Sequence, residues 1–184
     1  MRTTTFLAGI LGAVLTLPAL AQGSSTAAPG MQGGALTDGQ ILGVLKTVND
    51  AEIDAAKSIL PKTRNSQVRR FAEHMIRDHT QSNVDVQAAA IETGDKVADS
   101  PISDQLKQTT QSQAEGPSTQ SGSGLDEQYI DDQVKDHQDV LRMIQGDLIP
   151  SAHSDRVKDL LDKAQSMVSE HLRDAQQVQA SLNR

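Results

Sequence analysis

Apolar residues recur along this chain at alternating steps of four and three in four separate stretches, the period of a helix with one face turned to a core. None of these stretches has the alternating, β-branched, turn-bounded character of a strand. The first predicted helix starts at Thr37 or Asp38, a good N-cap position, and stops at Leu60 before Pro61. Its stripe reads Ile41, Leu45, Val48, Glu52, Ala55 and Ile59. The second runs from Asn65 or Ser66 to Gly94 with Val68, Phe71, Ala72, Met75, His79, Val86 and Ala90 on one side. The third, from about Asp126 to Asp147 and closed by Pro150, presents Ile130, Val134, His137, Leu141, Ile144 and Leu148. The fourth, from about Ser154 to Leu182, presents Val157, Leu161, Ala164, Val168, His171, Ala175, Val178 and Leu182. The fold class is therefore all-α.

Connection lengths set the expected topology. The stretches 61–65 and 150–154 are short turns, which join antiparallel neighbours, so the helices pair as two hairpins. The middle connection, 95–124, includes an amphipathic piece from Ile102 to Ala114 and the low-complexity run GPSTQSGSG. A connection of that length can span the ~37 Å of a 25-residue helix and let helices two and three run parallel. The expectation is a ferritin-like four-helix bundle with a long crossover between helices two and three. An up-down-up-down bundle with a long loop is the competing topology.

Each stripe carries one side chain able to ligate a metal: Glu52, His79, His137 and His171. A single buried histidine is ordinarily a hydrogen-bonded core residue, but four such groups on facing helices point at a common axis. Imidazole with carboxylate suits Fe, Cu or Zn, so a transition-metal ion is the candidate cofactor. Counted from their turns, the positions mismatch by ~8 Å within each hairpin, leaving a single four-ligand cluster as one arrangement among several. Asp78, Asp136 and Glu170 each precede a histidine and are expected to flank the stripes, as solvated charges or as carboxylates orienting imidazoles on other helices. His74 and Asp78 form an i,i+4 pair, His153 lies in a turn, and Tyr129 is expected at the rim of the bundle. No histidine has a Glu three residues before it, so the paired Glu-x-x-His elements of di-iron carboxylate bundles are missing and an oxidase or peroxidase ranks lowest. P-loop, nucleophile-elbow and dinucleotide fingerprints are absent too.

Composition narrows the setting. The chain has 184 residues, no cysteine, and 17 basic against 24 acidic side chains. That excludes disulfides, thiolate metal sites and a cysteine nucleophile, and the absence of basic clusters argues against a nucleic-acid partner. Residues 1–21 have the layout of a secretory signal: Arg2, an apolar core from Phe6 to Leu17, and Ala19-Leu20-Ala21 before the expected cut. Cleavage removes Arg2 and no acidic residue, leaving 16 basic and 24 acidic groups and a net charge of −8. The expected product is periplasmic or secreted, with no stable membrane span after cleavage. Residues 22–35 read as a disordered leader, and 36–184 as the bundle domain.

The run Phe71-Ala72-Glu73-His74-Met75-Ile76-Arg77-Asp78-His79-Thr80, the segment Leu125-Asp126-Glu127-Gln128-Tyr129, the Asp136-His137 pair and the Glu170-His171 pair resemble the bacterial exported family known as domain of unknown function 4142. The resemblance covers about Leu36 to Leu182, and Phe71 to Thr80 is its most specific part. It departs from the family in having Leu125 where Phe is usual and in its Gln/Ser/Gly-rich crossover. It implies a ferritin-like four-helix bundle, usually in the envelope, with no settled activity. Two functional readings follow. The one the sequence favours is a non-catalytic envelope or stress-associated bundle that meets an envelope protein partner, its histidines being satisfied core residues. The alternative is a transition metal held in the core by Glu52, His79, His137 and His171 for metal handling or oxidative protection.

Overall fold

The computed structural model describes residues 35–115 and 122–183. The expected signal segment 1–21, nearly all of the expected leader 22–35, and most of the low-complexity run lie outside the described residues. Within them the chain is helical and contains no strand: α1 (Asp38–Ile59), α2 (Ser66–Thr93), α3 (Pro101–Glu115), α4 (Ser123–Met143), a π-helical turn (Ile144–Leu148), the short α5 (Ile149–Ser151) and α6 (Asp155–Leu182). None of these helices is long and apolar enough to cross a membrane.

The ends are capped as their sequences dictate. Thr37 and Gln40 form a reciprocal capping box on α1. The Asn65 side chain accepts from the Gln67 and Val68 amides at the start of α2, and Ser154 accepts from the Arg156 amide at the start of α6. Gly94, at φ 76°, ends α2 in the left-handed conformation that a Cβ disfavours. α4 begins three residues earlier than the periodicity predicts, after Gly122. It also ends earlier as an α-helix, because the turn at Ile144–Leu148 widens to π geometry before Pro150.

α1 packs along α2, α4 along α6, and α2 along α6. Three contacts fix directions. Asp38, at the start of α1, accepts from the backbone amides of His153 and Ser154, where α4 has ended and α6 begins. Arg156 at the start of α6 pairs with Glu92 at the end of α2. Ser181 at the end of α6 donates to Gln67 at the start of α2. α2 and α4 therefore both run opposite to α6. The segment before α3 crosses α1 at very close range, where Ala98 donates its amide to the Gly39 carbonyl. A Cβ at Gly43 would sit 1.9 Å from the Ala98 carbonyl oxygen, so only glycine admits this crossing.

The inner faces agree with the stripes for most of α2 and α6. On α1, Ala56 rather than Ala55 is fully buried, and on α4 Gln133 and Val140 are buried while Val134 and Leu141 are only partly so. The apolar core falls into two clusters. One gathers Ile41, Leu45 and Val48 with Val86, Val140, Leu161 and Val168. The other gathers Ala56 and Ile59 with Phe71, Met75, Ile130 and Ala175. On every long helix buried polar residues lie between the two clusters: Asn49 and Glu52 (with Ile53 beside them), His79 and Ser82, Gln133 and His137, and His171. A polar layer thus crosses the core at mid-height.

Candidate metal centre

The layer's centre is built by α2, α4 and α6, each contributing one histidine that is 1% exposed. The ring centroids lie 6.1 Å (His79 to His137), 5.2 Å (His79 to His171) and 5.5 Å (His137 to His171) apart. One nitrogen from each ring lies within 4.8 Å of one from each of the others. Turn length and helix tilt absorb the register mismatch counted along the sequence, and the three rings meet.

Each ring uses one nitrogen to hold its orientation. His79 Nδ1 lies 2.9 Å from Asn49 Oδ1, His137 Nδ1 lies 2.9 Å from the Gln133 carbonyl, and His171 Nε2 lies 3.1 Å from Asp78 Oδ2. All three partners are acceptors, so each of these ring nitrogens carries the proton and donates it. The Asn49 amide has its orientation set in turn, since its Nδ2 donates to Ser82 Oγ and Asn83 Oδ1, and Asn83 Nδ2 donates to Asp50. The remaining nitrogens, His79 Nε2, His137 Nε2 and His171 Nδ1, are buried and have no hydrogen-bond partner. They carry lone pairs.

Electrostatics keep His79 and His171 neutral. Burial, reinforced by His171, His137 and His74, holds His79 well below its ordinary 6.5. Burial lowers His171 to about 4 against the opposing pull of Asp78. A neutral imidazole with its other N–H fixed by an oxygen acceptor is the form that ligates a metal, and such outer hydrogen bonds orient the ligand and raise its basicity.

A family model described as domain of unknown function (DUF4142) matches residues 21–178. The chain belongs to this family. No curated protein and no solved structure matches it. The motif that the DUF4142 resemblance rests on most, Phe71 to Thr80, supplies three members of the site: His79, the orienting Asp78, and His74, whose Nε2 lies 2.7 Å from Asp78 Oδ2.

Glu52 is buried in the same layer, on the Nδ1 side of His137 at 3.9 Å, outside the group of converging nitrogens. Its Oε2 accepts from Gln133 Nε2 at 2.7 Å. Of the acidic residues preceding histidines, Asp78 reaches across to His171, and Glu170 stays exposed beside Arg173. Asp136 is partly buried, its carboxyl raised to about 6 by burial and by Glu52. Tyr129 is buried rather than at the rim, with no partner for its Oη. Among the described residues, Asn49 and Gln133 are the buried members of this layer that periodicity misses. Their only signal in the sequence is an amide three or four residues from a ligand-type side chain on the same helix face.

Proposed function

We propose that this DUF4142 protein is an exported, ferritin-like four-helix bundle that holds one transition-metal ion in its core on His79 Nε2, His137 Nε2 and His171 Nδ1. The observation that carries the reading is the set of three buried, unpartnered ring nitrogens, each turned to lone-pair form by an acceptor on its other side. Leaving a buried acceptor unsatisfied costs about 1 to 3 kcal/mol, so three such atoms together are an arrangement for which a cation provides the compensation. The rival reading, a bundle whose histidines are satisfied core residues, needs a partner for every ring nitrogen, and half of the six have none.

Three imidazoles make a nitrogen-only donor set, which favours ions of the zinc and copper class over iron sites that use a carboxylate. For Glu52 to become a fourth ligand it has to give up the bond from Gln133 Nε2 and turn past the His137 ring; otherwise the fourth position is open to water or a small ligand. The opposed directions of α6 to both α2 and α4, with α3 carried in the connection between α2 and α4, support the crossover topology. The layout of residues 1–21 supports export, and metal handling in the envelope is the role we assign.

The test uses untagged mature protein, assayed for bound metal and for thermal unfolding with and without chelator, beside a His79→Ala/His137→Ala/His171→Ala variant. Near-stoichiometric Zn or Cu with chelator-sensitive stability, both lost in the variant, is the expected result. Wild-type protein that stays metal-free and indifferent to added Zn, Cu or Fe overturns the reading.

A further inference from the structure

The outer hydrogen bonds of the three core rings do not end alike. Those of His79 and His137 end on Asn49 and Gln133, residues 3% and 2% exposed, whereas that of His171 ends on Asp78, whose side chain is 33% exposed. Asp78 therefore joins the buried layer to solvent across the seam between α2 and α6. His74, one turn earlier on α2 and 34% exposed, meets it there. His74 Nε2 lies 2.7 Å from Asp78 Oδ2, and the His74 ring centroid lies 5.2 Å from that of His171. The other His74 nitrogen, Nδ1, faces the Asp174 carboxylate of α6 at 3.7 Å. His74 thus repeats the construction of the core rings, with an oxygen acceptor beside one nitrogen and the other turned to a ligand-type neighbour.

His74, Asp78 and His171 each offer one ligand atom within 4.8 Å of the other two. Two groups of metal-ligand type therefore meet at one shared residue, His171. From His74 the ring centroids step inward by 5.2 Å to His171, then by 5.2 Å to His79 and 5.5 Å to His137. An ion that leaves water for a buried layer gives up its hydration shell, and replacement ligands along the way offset that loss. On the α1–α4 side the carboxylate of Glu52 is engaged by Gln133 Nε2 and belongs to no such group among the described residues. We propose that His74 Nε2, an Asp78 carboxylate oxygen and His171 Nε2 form a second, solvent-facing site for a divalent transition-metal ion, which captures the ion and passes it to the three-histidine centre through His171. The outer site stands on its own geometry, and only the passage inward rests on the core centre proposed for this protein. A neutral imidazole has one lone pair, so His171 serves the outer ion through Nε2 or the core ion through Nδ1, one at a time. As the ion passes inward, one ring proton moves from Nδ1 to Nε2, where Asp78 accepts its hydrogen bond, and the net charge is unchanged.

Two measurements test this, one for each part. The outer site is isolated in a His79→Leu/His137→Leu variant, matched to the wild type by circular dichroism and titrated with Zn²⁺ in a calorimeter. One Zn²⁺ is expected to bind, and adding His74→Ala or Asp78→Asn to that variant is expected to weaken it about tenfold or more. No binding, or binding indifferent to His74, overturns the outer site. For the passage, wild type and His74→Ala take Zn²⁺ from a chromophoric chelator in stopped flow. His74→Ala is expected to slow uptake and release by about tenfold each and to leave Kd within about twofold, because a residue on the route changes both rates together. Unchanged uptake overturns the passage, and a higher Kd from faster release alone makes His74 a residue that only positions Asp78 and His171. A wild type that binds Zn²⁺ no more tightly than the His79→Leu/His137→Leu variant sinks the core centre and the passage but leaves the outer site standing.

Discussion

Asn49 and His79 are joined by a hydrogen bond that runs in one direction only: Asn49 Oδ1 accepts from His79 Nδ1, because Asn49 Nδ2 is already committed to Ser82 and Asn83. The amide cannot turn over without breaking both of those bonds, so it fixes which nitrogen of His79 faces the other two rings.

Asn49→Leu removes this constraint while keeping the volume. Outer partners of metal-bound histidines are typically worth 10- to 100-fold in affinity, so the Zn²⁺ affinity of the variant is expected to fall by about that factor. Competition against a chromophoric chelator measures it. An unchanged affinity would mean that the orientation of His79 is set elsewhere.

The metal-free protein is expected to lose stability in acid through its neutral histidines. His171 is lowered to about 4, so on acidification from pH 6.5 the unfolded chain takes up its proton first, and stability falls until the folded ring also protonates near pH 4. That gap corresponds to roughly 3 kcal/mol for a buried group. Asp136, raised to about 6, opposes part of the loss, because the folded state protonates it before the unfolded one does. Urea unfolding in chelator across this window, with His171→Leu as the flattened comparison, checks the sign.

Much of this arrangement is legible in the sequence. The four long helices and the histidine on each of three stripes follow from spacing, and residue type places their starts to within a residue of the caps at Thr37, Asn65 and Ser154. The phase of α4 does not. Ile130, Gln133, His137, Val140 and Ile144 are spaced as regularly as Ile130, Val134, His137, Leu141 and Ile144, and hydrophobicity selects the second set although the first is the more buried. Gln133 is inside because Glu52, which is distant in sequence, needs a donor there. A polar residue whose burial depends on a partner from another helix leaves no periodic trace.

Tyr129→Phe is expected to stabilise the protein by about 1 kcal/mol at neutral pH, since it removes a buried hydroxyl with no partner and keeps the edge-on contact with Phe71. The phenol is held above its ordinary 10.0 by burial and by Glu52, so the wild type favours the neutral form in the fold. Its stability therefore declines as pH rises past 10.0 and the unfolded chain ionises, a decline the Phe variant lacks. Denaturation at a series of alkaline pH values separates the two.

Gly43→Ala places a methyl group within 1.9 Å of the Ala98 carbonyl oxygen, a backbone atom that cannot move aside as a side chain would. The expected cost is about 1 to 3 kcal/mol, with faster hydrogen exchange at the Ala98 amide, whose bond to the Gly39 carbonyl depends on the same approach. Thermal unfolding and exchange of that amide test it. A variant as stable as the wild type would show that the 95–100 segment can lift away at little cost.

The histidine layer draws on α2, α4 and α6 but on no ligand-type nitrogen from α1, which meets it through Asn49 and Glu52. The three rings thus bring α2, α4 and α6 together at one point, while α1 is held by packing, by the contacts of Asn49, Asp50 and Glu52, by Asp38 on the His153 and Ser154 amides, and by the strap laid over Gly39 and Gly43. α1 is the one long helix outside the histidine cluster. An ion held by the three rings would stiffen the other three helices without adding directly to the hold on α1, so exchange protection in α1 should respond least to loading.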